Sequence, residues 1–296
     1  MAESGLKIVL DTSKEFEFTT RDFERVRGLI YQRAGIALAD SKREMVYSRI
    51  ARRLRATGLR SFQEYLDQLE QRGEDAEWEA FTNALTTNLT SFFREEHHFP
   101  ILAGHVRQRR EPIHIWCAAS STGEEPYSIA MTLCEAFNTL TPPAQVIATD
   151  IDTNVLATAE AGVYPMERLD KLAPERARRF FLKGKGRHEG YAKVRPELRD
   201  MISFRQLNLL SGQWPVRGPF DAIFCRNVMI YFDKPTQARI LERFVPLMKP
   251  DGLLFAGHSE NFSYVSDAFR LKGKTVYQLA PQYAAASRPA QHPPEK

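Results

Sequence analysis

The chain is poor in cysteine: Cys117, Cys134 and Cys225 lie far apart in apolar surroundings. That spacing fits neither a disulfide framework nor a C-x-x-C redox or metal site, so the three thiols are expected in the core and no metal is expected. Long hydrophobic runs are missing as well. No stretch of about 18 uninterrupted apolar residues occurs, and the N-terminal MAESGLKIVLDTSKEF has no apolar run of signal-peptide length. A cytoplasmic protein without membrane insertion is expected. A large excess of one charge is also absent, since 41 Lys and Arg face 37 Asp and Glu for a net charge of +4. So small a balance would suit nucleic acid, an acidic lipid surface or an acidic protein about equally. There is no internal repeat.

What is present suits a folded chain of 296 residues, 43% hydrophobic and 26% charged, enough for one large domain and a small one. After an N-terminal extension over residues 1–17, expected to be disordered, residues 18–90 read as helical. Asp, Ser and Thr precede apolar residues at three- and four-residue spacing, as in SFQEYLDQLE and EWEAFTNAL. From Glu111 the texture changes. Short apolar runs (PIHIWCA, AQVIATD, MISFRQL, FDAIFCR, GLLFAGH) alternate with helical stretches, which predicts an α/β domain with a mostly parallel sheet over residues 91–280. The close runs GYAKVRP and MISFRQL, the first after the turn GKGRHEG, suggest a small β subdomain at about 178–206. Residues 281–296, rich in Pro and Ala, read as a disordered tail.

In open α/β sheets, ligands bind beyond the carboxyl ends of the strands. PIHIWCA is followed by ASSTGEEPYSIA, small residues and a glycine opening a helix, where backbone can approach a ligand closely. The acids Glu124 and Glu125 at that helix start disfavour phosphate and suit a cation, although acids at a helix start also simply favour its dipole. AQVIATD ends in Asp150, where a carboxylate would bind ribose hydroxyls, or cap the next turn. MISFRQLNLL leads to Asn208, whose amide could read an adenine edge. FDAIFCRNVMIYF is apolar up to Arg226 and Asn227, a pair costly to bury unless it binds something or the arginine meets an acid. A ligand with ribose, adenine and a positive charge but no phosphate is S-adenosylmethionine.

The segments TNLTSFFREEHHF, ASSTGEEPYSIAM, ATDID, FDAIFCRNVMIYF and LLFAGHSENF, in this order, resemble the chemotaxis receptor methyltransferases of the CheR type. The resemblance spans residues 18–280. It implies an all-helical N-terminal domain followed by a Rossmann-like S-adenosylmethionine-dependent methyltransferase domain with a small antiparallel β subdomain. The implied activity is methyl transfer to glutamate side chains of chemoreceptor cytoplasmic helices, leaving S-adenosylhomocysteine. Carried over motif by motif, the cofactor contacts are Asn88, Thr90, Arg94, Glu125, Asp150, Asn208, Leu209, Arg226 and Asn227, with Arg94 and Tyr231 nearest the transferring methyl. The turn Gly184-Lys185-Gly186 matches one associated in the family with binding a C-terminal receptor pentapeptide.

Between Lys42 and Arg60 stand seven Lys and Arg against one acid, Glu44. On a helix from about residue 40 to 57, Arg49, Arg52 and Arg53 fall opposite Ile50 and Leu54, with Arg55 between. Such a face is expected to dock glutamate-rich helices, the bland alternative being a solvated surface. A nucleic-acid methyltransferase is the first rival, but amino-group methylation of bases usually uses an Asn/Asp-Pro-Pro-aromatic strand end, and RNVMIYF has no proline. A non-catalytic cofactor-sensing adaptor is the second, disfavoured by intact motifs at each strand end. A monomer that acts on receptors and not on nucleic acid is expected.

Overall fold

A computed structural model of the chain describes residues 14–71, 76–107, 109 and 111–286. The chain divides into two compact units, one of residues up to 33 together with 38–85, the other of residues 34–37 and 86 onward.

The first unit is helical: α1 (Thr20–Ala34), a 3-10 turn at Asp40–Lys42, α2 (Arg43–Thr57), α3 (Phe62–Gln71) and α4 (Ala76–Leu85). Local signals set the boundaries. Thr19 and Asp22 exchange hydrogen bonds across the start of α1; at α3 the Ser61 hydroxyl accepts the Glu64 N–H while the Glu64 carboxylate accepts the Arg60 N–H. Gly58 ends α2 at φ +73°, where its N–H reaches the Leu54 and Arg55 carbonyls. Val46, Ile50, Ala51 and Leu54 of α2 are buried, as are Phe62, Tyr65, Leu66 and Leu69 of α3 and Phe81 and Leu85 of α4. These positions repeat at helical spacing and supply the unit's core.

The second unit runs α5 (His98–Val106), β1 (Ile113–Cys117), α6 (Glu124–Ala136), β2 (Ala144–Asp150), α7 (Thr153–Ala161), β3 (Val163–Pro165), α8 (Pro174–Phe180), β4 (Phe181–Lys183), β5 (Tyr191–Val194), α9 (Pro196–Asp200), β6 (Ile202–Gln206), β7 (Phe220–Cys225), a 3-10 turn at Met229–Tyr231, α10 (Lys234–Phe244), β8 (Met248–Ala256), β9 (Phe269–Gly273), β10 (Val276–Leu279) and α11 (Pro281–Ala286). Seven strands form one sheet in the order β6-β2-β1-β7-β8-β10-β9, parallel up to β8 and antiparallel beyond it. The chain leaves β1 toward β6 and returns to β7, so the order reverses beside β1, where a doubly wound sheet opens a crevice. Alternate residues feed two cores. Ile115, Cys117, Phe224 and Phe255 join the cluster containing α5 and α6, while Trp116, Ile223, Cys225 and Leu254 join the one containing α10. The amino-terminal end of the sheet is tied by buried Asp221, which accepts from the His114 N–H at 2.9 Å and pairs with Lys249 at 3.0 Å.

The expected fold class is found, with three differences in extent. The small antiparallel sheet is β3-β5-β4, spanning residues 163–194, not 178–206. MISFRQL is not part of it but supplies β6, the parallel edge of the main sheet; β3 has only three residues, too few to show a period. The supposed tail starts as α11, since Ala284 N–H bonds to Ala280 O and Tyr283 packs on the α10-side core. Residues 14–17 are held as well: Lys14 pairs with Glu44 and Glu15 with Arg55. The remainder of the proposed extension and tail, residues 1–13 and 287–296, lies outside the described residues.

Candidate active site

The loop after β1, residues 118–123, holds no cation and turns into α6 at Gly123. Gly123 has φ +101°, and a Cβ there would stand 2.6 Å from the Tyr164 hydroxyl and 2.9 Å from Ala159 Cβ. Only glycine fits, so the loop passes tightly over α7. Asp150, at the end of β2, is buried and accepts the Ser121 N–H at 2.8 Å and the Asp152 N–H at 3.0 Å. Burial pushes its carboxyl up to about 6. Asp152 caps α7 through the Asn154 and Val155 N–H groups and takes bonds from the Thr86 hydroxyl (2.6 Å) and the Asn88 amide (2.8 Å). Asn88 thus braces the loop. The Thr90 carbonyl meets Arg168, which also reaches Glu124 at 3.4 Å.

Arg226, just past β7, is buried between two acids. Its Nη1 donates to Glu125 at 2.5 Å and its Nη2 lies 3.3 Å from Glu95. Nη2 also donates to the Arg94 carbonyl, while the Arg94 side chain donates to Leu89 O at 2.8 Å. Burial would raise Glu95, but bonds from His258 and the Arg226 charge outweigh it and hold the carboxyl at about 2. Burial wins at Glu125, whose carboxyl is raised against the pull of Arg226. Asn227 takes a left-handed φ of +58°. Its N–H and those of Val228 and Met229 end on buried Glu260, which fixes the 3-10 turn bearing Tyr231.

Arg226 is therefore the acid-paired arginine, and Glu125 is its partner, not an open carboxylate for a sulfonium. Two acids, Glu125 and Glu95, face one guanidinium, and Asp150 ends the neighbouring strand β2, so the site holds more acid than base. Asn208 folds its own Oδ1 onto the Leu210 N–H at 2.9 Å, and the Leu209 side chain is buried in the α10-side core. Ser120 Oγ and Arg226 Nε are buried without a hydrogen-bond partner. Orphaned polar atoms beside a loop without cations and a helix start carrying Glu124 and Glu125 fit a polar cationic nucleoside. Among the described residues, no group of three or more His, Cys, Asp or Glu could hold a metal. Glu95, Asp152, His258 and Glu260 were not singled out in the sequence, although all four lie inside the segments TNLTSFFREEHHF, ATDID and LLFAGHSENF.

The expected arginine face is altered. In α2, Arg53 makes a bidentate pair with Glu77 at 3.0 and 2.6 Å, and Glu77 also accepts from Tyr65. Arg49 donates to the Ala84 carbonyl and Arg55 to Glu15. The neutralising acids come from other segments, which helical spacing within α2 does not reveal. Arg52 stays exposed, its Nε directed to Ser48 O. In the β4–β5 connection, a Cβ on Gly184 would collide with the His188 carbonyl, so the turn requires that glycine, and Gly186 has φ +57°, which favours glycine there.

A doubly wound sheet with a glycine turn after β1, a buried acid ending β2 and a net-negative, phosphate-averse crevice is the framework of a methyltransferase that uses S-adenosylmethionine. The model for the CheR methyltransferase, SAM binding domain, matches residues 88–278, and that for the CheR methyltransferase, all-alpha domain, matches residues 21–86. The chemotaxis protein methyltransferase of Escherichia coli strain K12 is 56% identical over 92% of this chain and 96% of that one. That of Klebsiella aerogenes is 60% identical over 94% and 95%. Chemotaxis protein methyltransferase 2 of Pseudomonas aeruginosa is 55% identical over 90% and 96%. The chain belongs to the CheR methyltransferase family, and its cofactor is S-adenosylmethionine.

Proposed function

We propose that this enzyme methylates the side-chain carboxylates of glutamates in the cytoplasmic helices of chemoreceptors, forming glutamate methyl esters and S-adenosylhomocysteine in sensory adaptation. The observation that carries the reading is similarity along nearly the whole length of proteins named chemotaxis protein methyltransferase. When bound, S-adenosylmethionine supplies a methyl group that a carboxylate oxygen takes while the sulfur keeps the electron pair, so no proton moves. A glutamate carboxyl, with a pKa near 4.3, arrives already ionised at neutral pH, and no general base is needed.

The protein's task is then alignment and removal of water from two charges that vanish together. Asp150 would accept the ribose hydroxyls, and Asn88, Thr90, Glu125, Asn208, Leu209, Arg226 and Asn227 would shape the rest of the cofactor site. Arg94, tied to Leu89 O, and Tyr231, on the turn fixed by Glu260, would orient the arriving carboxylate by charge-assisted hydrogen bonds. Arg52 of α2 would draw in an acidic helix, and the Gly184–Gly186 turn would take a receptor's C-terminal pentapeptide. A cytoplasmic monomer suits this role, and no helix among the described residues is long and apolar enough to cross a membrane.

Transfer of labelled methyl to glutamate-rich receptor fragments, released as methanol by mild base, tests the assignment, with DNA and RNA as parallel substrates. Base-stable label, or label only in nucleic acid, would overturn it.

A further inference from the structure

We propose that His258 contacts the substrate: fixed through Nδ1 by Glu95, it presents Nε2 to the carboxylate that accepts the methyl group. The inference rests on the carboxylate-methylating reading above.

His258 stands two residues past the end of β8, beside Asn227 past the end of β7, at the carboxyl ends where ligands enter such sheets. Its approach is built. A Cβ on the preceding Gly257 would lie 2.9 Å from the Asn227 backbone nitrogen, so the two loops touch only because residue 257 is glycine. From there both the N–H of His258 (3.1 Å) and its ring Nδ1 (3.0 Å) meet one oxygen of Glu95. The His258 side chain is 68% exposed, whereas that of Glu95 is 10% exposed. One ring nitrogen is thus anchored inward and the other left on the solvent side.

The anchor is itself tightly held. Glu95 also receives the Asn227 amide at 3.3 Å and faces Arg226 at 3.3 Å. Both Glu95 (φ +54°) and Phe93 (φ +53°) take left-handed backbone on either side of Arg94. Non-glycine residues keep such conformations only where their surroundings over-determine them, at a cost of order 1 kcal/mol or more each. Neutralising Arg226 requires none of the contacts to His258. An acid that grips an imidazole by one nitrogen fixes where the other nitrogen sits.

The chemistry that fits is a second carboxylate. In the proposed contact the ring, carrying a proton on each nitrogen, would donate Nδ1–H to Glu95 and Nε2–H to one oxygen of the arriving glutamate, leaving the other oxygen to attack. A methyl ester carries no charge, so this charge-assisted bond weakens once transfer is complete, and the product is released more easily than the substrate.

Three variants separate contact from support. An asparagine amide overlays Nδ1 of histidine but not Nε2; a glutamine amide reaches the Nε2 position. With S-adenosylmethionine saturating, His258→Ala is expected to raise KM for a receptor fragment by about tenfold or more, the loss of one hydrogen bond to a charged group. His258→Asn should be as poor as alanine, and His258→Gln should recover most of the loss. Calorimetry with S-adenosylhomocysteine should give unchanged affinity in all three, which reports an intact fold. Asparagine near wild type with glutamine as poor as alanine would show that His258 only supports Glu95 and would sink the proposal, as would three variants with wild-type KM. If the wild-type enzyme forms no base-labile ester on these fragments, the functional reading fails and the role of His258 falls with it.

Discussion

Asp150 offers the sharpest test of the cofactor site, because its burial ties binding to pH. Its carboxyl is raised from 3.8 to about 6, chiefly by desolvation. In its proposed role Asp150 accepts the ribose hydroxyls in its ionised form, so cofactor affinity should be full above pH 7 and fall about tenfold per unit below pH 6, a decade being about 1.4 kcal/mol. Between pH 7.5 and 5 the expected loss is therefore about tenfold. Stability runs the other way. The folded pKa lies above the unfolded one, so the stabilisation is fully present below pH 4 and is lost as pH rises through about 6. The loss is of order 3 kcal/mol for a shift of about two units. Calorimetric titration of S-adenosylhomocysteine from pH 7.5 to 5 reads the first effect, and urea unfolding of the cofactor-free protein over pH 4–7.5 reads the second. Asp150→Asn should flatten both dependences while weakening binding about tenfold or more at pH 7.5, the loss of a charged acceptor. A pH dependence of binding that survives in Asp150→Asn would refute the reasoning.

Four further outcomes are expected. Arg94→Ala should lose most turnover with cofactor saturating, by about a hundredfold for a misaligned carboxylate; near wild-type rates would remove Arg94 from the catalytic role. Arg53→Glu would set a second carboxylate against Glu77 and cost about 2 kcal/mol in urea unfolding. Arg52→Glu should leave stability unchanged and make receptor methylation slower and less salt-dependent; unaltered salt dependence would remove α2 from docking. Arg226→Met leaves Glu125 and Glu95 without their shared cation and should destabilise by about 3–5 kcal/mol, read as a fall in the urea midpoint.

The alternation of helix and strand was legible because apolar runs such as FDAIFC are buried on both faces and helices such as SFQEYLDQLE carry their own capping residues. Strand ends were legible for the same reason, which is how Asp150 and Arg226 came forward. What local pattern could not show is which residue meets which across long sequence distances. Glu77 neutralises Arg53 from 24 residues away, and Glu125 meets Arg226 from 101 residues away. Three-residue strands such as β3 and β4 carry too little period to announce themselves, so the small sheet was misplaced toward β6.

The order of the main sheet leaves β6 and β9 as its outermost strands. An open strand edge is a template for another chain, and proteins blunt it with outward charge. Here β6 exposes Arg205, and β9 exposes Arg270 and Lys272 on either side of the half-exposed Leu271. Two copies approaching edge to edge would bring cation against cation, so the borders that could seed aggregation are self-repelling. The same charges would not repel an acidic strand, which makes cationic edges a filter on what the enzyme sticks to, set by the sign of the visitor.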